Sequence, residues 1–122
     1  MLPLQHDRIY RQLLNALLKL QNLSTADNLD LASLEKQYAL VKEIFQTRAL
    51  SLTEEGLDGA IASRWLSVQT EINRAIRLLQ NDIIFLRSAR QPATRQKRLK
   101  TVCDRIEQLI GYCRVLLPET EP

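Results

Sequence analysis

The stretch LDGAIASRWLSVQTEINRAIRLLQNDIIFL, residues 57–86, decides how the chain folds. Its apolar residues fall at Leu57, Ile61, Trp65, Val68, Ile72, Ile76, Leu79, Ile83 and Leu86, at steps of three and four that return to one face of a helix. No Gly or Pro interrupts it after Gly59. Such a helix spans about 45 Å, the length of a small domain, so shorter helices must pack along it.

Working back toward the N-terminus, a helix is expected from Pro3 to about Leu23, with Ile9, Leu13, Ala16, Leu20 and Leu23 as its inward stripe and Leu14, Leu17 and Leu18 widening it. Ser24, Thr25, Asp27 and Asn28 form a polar turn. A second helix follows from about Asp30, with Leu31, Leu34, Tyr38, Val41 and Phe45 as its seam, and frays near Leu50. Ser51 and Thr53 are candidate caps for the long helix, Ser51 with Glu54 fits a capping box, and Glu54, Glu55 and Asp58 place negative charge at its positive end. Gly56 and Gly59 weaken those first turns, so firm helix is expected by Ile61.

Working forward, Gln91-Pro92 ends the long helix near Ala89. A fourth helix runs from Pro92 or Thr94 to Leu117, with Leu99, Val102, Ile106, Leu109 or Ile110, Cys113 and Leu116 inward, and Pro118 stops it. The expectation is an all-α fold: an antiparallel four-helix bundle with a long third helix, one domain over residues 1–118 and a loose tail over 119–122. The long helix either bends or projects toward a partner chain, which leaves monomer and homodimer both open. A hairpin turning near Gln91 sets Asp82 opposite Thr101, within reach of Arg98 or Arg105, and predicts an ion pair there.

Composition agrees with a globular helical chain. Apolar residues make up 45% and charged residues 25% of the 122, with only three Gly and four Pro. The N-terminus reaches charge at once and no apolar run approaches a membrane span, so a cytoplasmic protein is expected. Cys103 and Cys113 lie about 15 Å apart along one helix and cannot bond to each other without breaking it. Both read as buried free thiols.

The strongest local departure is electrostatic. Arg87, Arg90, Arg95, Lys97, Arg98 and Lys100 lie within one run that holds no acid; outside it 11 bases face 14 acids. The run is either a solvated tip or a docking surface for an acidic protein, a nucleic-acid backbone or an anionic membrane. Nucleic acid calls for aromatic platforms among the charges, and only Phe85 and Tyr112 are available. Membrane docking has only Leu99 between Thr94 and Lys100. Catalysis finds less support: His6, the single histidine, reads as a surface or capping residue, and it makes no zinc site with two distant cysteines. No Gly-rich phosphate loop exists, and neither metal nor cofactor is expected. Trp65 reads as a core anchor, and the run Ile83-Ile84-Phe85-Leu86 must contact two neighbours or a neighbour and a second molecule.

The segments Gln69-Thr70-Glu71-Ile72, Leu78-Leu79, Asp82-Ile83-Ile84-Phe85-Leu86, Ala89-Arg90-Gln91 and Leu109-Ile110-Gly111-Tyr112-Cys113 resemble the small cyanobacterial PatD family, which controls heterocyst frequency. The likeness covers the second half of the chain best; the first two helices match in length and pattern. It implies a non-enzymatic regulator that binds the tubulin-like division protein FtsZ and alters its assembly. It transfers no site residues, so the basic run remains the candidate surface, with a small nucleic-acid-binding or general adaptor protein as the alternative.

Overall fold

The computed structural model describes residues 2–117, which form α1 (Leu4–Ser24), α2 (Leu31–Ile44), α3 (Gly59–Ser88) and α4 (Pro92–Leu116), with no strand among them. The expected stop at Pro118 and the tail over 119–122 lie outside these residues. Successive helices run antiparallel. α1 packs between α2 and α4, while α3 lies mainly on α4 and more thinly on α2.

The predicted stripes line the core. Ile72, Ile76, Leu79, Ile83 and Leu86 of α3 are buried against Val102, Ile106, Leu109, Ile110 and Cys113 of α4, and Leu34, Tyr38, Val41 and Phe45 of α2 complete the seam. On α1 Leu13, Ala16 and Leu20 are buried as expected, but the buried face extends to other residues while Ile9 and Leu23 lie at its margin. His6, Tyr10 and Leu17 are buried in its centre, and Ile9, Leu14, Leu18 and Leu23 flank it.

The two ends of the α2–α3 connection differ from the sequence expectation. α2 closes with a π-turn over Phe45–Ala49, in which the Leu50 N–H donates to the Phe45 carbonyl at 2.9 Å. The wider turn keeps Phe45, Ala49 and then Leu52 facing inward. Neither Ser51 nor Thr53 caps α3: the Ser51 hydroxyl donates back to the Arg48 carbonyl, and Thr53 Oγ1 accepts from the Glu55 N–H. The reason is Gly56, whose φ of 83° turns the chain in a way that helix cannot continue through. α3 therefore starts only at Gly59, Leu57 falls outside it, and Asp58 is the cap, its carboxylate accepting from the Ile61 N–H at 3.1 Å.

Trp65 is the central anchor, as expected, and only 1% exposed. Its indole N–H donates to the Tyr10 hydroxyl at 2.9 Å, and that hydroxyl donates onward to Gln69 Oε1. His6 stacks edge-on against the indole at 5.1 Å between ring centroids. His6 is therefore a buried residue and not the surface or capping one expected: its Nε2–H donates to the Thr53 carbonyl at 3.0 Å and clasps the α2–α3 connection to α1. The first turns of α3 also do not stand alone. Ile61, Arg64 and Trp65 line a groove of about 300 Å³ with Leu2, Val115, Leu116 and Leu117 from the ends of α1 and α4.

Two expected outcomes follow from this core. Tyr10→Phe strands the buried indole N–H, so urea unfolding should show a loss of about 1–3 kcal/mol with unchanged helix content, against roughly 3–5 kcal/mol for Trp65→Ala. Burial also pushes the Cys113 thiol from 9.0 up to about 12 and the Tyr38 phenol from 10.0 up to about 12. The folded chain holds these protons where the unfolded chain has released them, so stability is complete below about pH 9 and falls as pH rises toward 12. Urea midpoints measured across that range should decline, and less steeply in Tyr38→Phe.

Candidate protein-docking surface

The six bases of the run all lie at one end of the bundle, around the turn that joins α3 to α4, and all are exposed. The structure divides them. Arg87, in the last turn of α3, reaches across to Glu35 of α2 at 2.8 Å. Lys100 pairs with Asp104 one turn on at 3.0 Å, and that hydrogen bond, with Asp104's charge, raises its pKa. The Arg98 guanidinium lies 5.0 Å from the centroid of the Phe85 ring. Arg90, Arg95 and Lys97 have no side-chain partner among the described residues.

The position of these charges carries a local cost. Arg87 sits where the α3 dipole is negative and is favourable there. Arg95 sits in the first turn of α4, where the dipole is positive, and that turn holds no acidic residue and no side-chain cap. Arg95 with Arg98, and Lys97 with Lys100, add like charges three apart on one helix surface. Helix stability alone selects the opposite sign at this site.

Apolar surface adjoins the charge. Of the run 83–86, Ile83 and Leu86 are buried, whereas Ile84 and Phe85 are 38% and 52% exposed. The four residues thus divide between the core and solvent. Asp82 locks the hairpin that carries them: Arg105 Nε donates to its carboxylate at 2.9 Å, with both side chains largely buried. Of the two expected partners, Arg105 is the one used, and the shielded setting makes this pair a stronger constraint than an exposed one. The contact between Phe85 and Arg98 was legible in the same reading, since a register that sets Asp82 opposite Thr101 also sets Phe85 opposite Arg98.

The other candidate sites have different settings. Cys113 is buried and free, and Cys103 is free but only half-buried, its thiol 3.7 Å from the Ser24 carbonyl. Cys103 is thus less inward than expected, because the end of α1 covers it only in part. His6 lies far from both ends of the basic run, in the clasp at Thr53. Tyr112 is half-buried and accepts from the Gln108 amide at 3.0 Å, well down α4 from the basic end. Among the described residues no three of His, Cys, Asp and Glu converge as a metal site, and no helix is long and apolar enough to cross a membrane.

No protein-family model, curated protein or solved structure matches the chain. The basic end offers unpaired cations for carboxylates, held on a rigid hairpin beside a half-exposed aromatic ring.

That rigidity has a measurable source. Arg105→Ala leaves the Asp82 carboxylate shielded and unpaired, and should lower stability by about 1–3 kcal/mol in urea titration. Removing both groups, as Asp82→Leu with Arg105→Leu, should recover part of that loss.

Proposed function

We propose that this chain is a non-enzymatic protein-binding module that docks an acidic partner on the exposed end of the α3–α4 hairpin. The observation that carries the reading is the placement of two unpaired bases, Arg95 at the positive end of α4 and Lys97 three before Lys100, where they cost helix stability and gain no side-chain partner among the described residues. Long-range attraction from such a patch speeds encounter with an acidic surface. A bundle held by internal polar contacts presents the patch without reorganising, which limits the entropy lost on binding.

The resemblance to the PatD family names the partner in this proposal as FtsZ, and the role as modulating FtsZ assembly in the control of division and heterocyst frequency. Division proteins of this class are acidic, which suits the sign of the patch.

Co-sedimentation with FtsZ from the same organism, with and without GTP, tests both parts. The wild type should pellet with FtsZ polymer, and less so as salt rises. The variant Arg90→Glu, Arg95→Glu, Lys97→Glu should lose at least most of that pelleting while keeping its helix content and melting no lower than the wild type, since acid at the start of α4 suits the dipole. Equal pelleting of both proteins would remove the basic end as the site; no pelleting of the wild type at low or moderate salt would remove FtsZ as the partner.

A further inference from the structure

Phe85 and Arg98 form a unit that the unpaired cations do not. Phe85 is 52% exposed on α3, and the Arg98 guanidinium from α4 lies over one face of its ring at 5.0 Å. A guanidinium held on an aromatic face keeps its N–H edges free, because the ring engages the plane of the group and leaves the fork of donors open. An exposed arginine otherwise loses about 2 kcal/mol of rotamer entropy when it is fixed by a ligand. Here the ring has already restricted it. Half of Phe85's surface remains open to an apolar contact.

We infer that Phe85 and Arg98 form the specificity-determining anchor of this surface, taking an acidic peptide segment that carries an apolar side chain next to a carboxylate. Arg98 receives the carboxylate as a two-pronged hydrogen-bonded pair. Phe85 positions Arg98 and receives the apolar side chain on its exposed surface. Arg95 and Lys97 attract the rest of the acidic segment without selecting its sequence. The inference rests on the proposed docking role of the hairpin end and adds to it what the bound segment must contain.

A nucleic-acid strand fits less well. Single-strand binders stack successive bases on successive aromatic platforms, and Phe85 is the one aromatic residue at this end among the described residues, with one face already covered by Arg98. Asp104, 61% exposed beside Lys100, opposes a continuous phosphate track.

The test titrates the full chain, by fluorescence anisotropy at moderate salt, into three labelled probes. These are a synthetic peptide of Asp and Glu around one central Leu, its twin with Ser in place of Leu, and oligothymidine. The Leu peptide should bind about threefold tighter than its twin, and both more tightly than oligothymidine. Arg98→Lys keeps the charge but loses the planar fork, and should weaken the Leu peptide roughly tenfold. Phe85→Leu should weaken it about threefold, since the ring no longer holds Arg98. The three variants under test all change exposed positions; Arg98→Lys and Phe85→Leu should melt as the wild type does, and the pair Arg95→Glu with Lys97→Glu should melt no lower. If the charge reversal abolishes binding while Arg98→Lys, Phe85→Leu and the Ser peptide change nothing, the anchor is overturned and the docking role stands. Failure of both peptides to bind overturns the anchor and the docking role together, and tighter binding of oligothymidine replaces the peptide with nucleic acid.

Discussion

A buried indole N–H must find an acceptor, and the way Trp65 finds one sets the geometry of half the molecule. Its partner is the hydroxyl of Tyr10 on α1, which in turn needs an acceptor and finds Gln69 on α3. Apolar stripes can slide past one another with little penalty; a hydrogen-bond relay in a low-dielectric interior cannot. The relay fixes α1 against α3, two helices that are not chain neighbours. His6, one turn before Tyr10, then covers the indole and reaches Thr53, so the same anchor also holds the α2–α3 connection.

The opposite end is governed by the hairpin of α3 and α4. Asp82 and Arg105 set its register, and that register brings Arg98 over Phe85. The basic run is continuous in sequence but not uniform in energy. Its first member relieves the negative end of one helix, whereas Arg95 burdens the positive end of the next. At the far end Trp65, Tyr10 and Gln69 pair with one another, whereas at this end Arg90, Arg95 and Lys97 have no side-chain partner among the described residues. That contrast supports the proposal that binding belongs to the hairpin end.

Several features were readable from spacing alone and several were not. The stripe of α3, the break at Pro92, the burial of Trp65 and the pairing of Asp82 with a base in the middle of α4 all follow from helical period and a single turn position. The start of α3 did not. Ser51 and Thr53 have the right chemistry for a cap, and only the positive φ of Gly56 moves the cap to Asp58. His6 was misread for a related reason: its acceptor, the Thr53 carbonyl, is a backbone group that no residue pattern announces.

The sequence by itself determined the number of helices, the inward faces of α2, α3 and α4 and the concentration of positive charge, because each is a local property of period three to four or of composition. Only the tertiary structure decided which of those charges are spent. Glu35, which takes Arg87, is 52 positions away, and Trp65 meets Tyr10 across 55. Contacts between residues so distant depend on how whole helices rotate and slide against each other, and that is set by packing the shared core and satisfying its few buried polar groups.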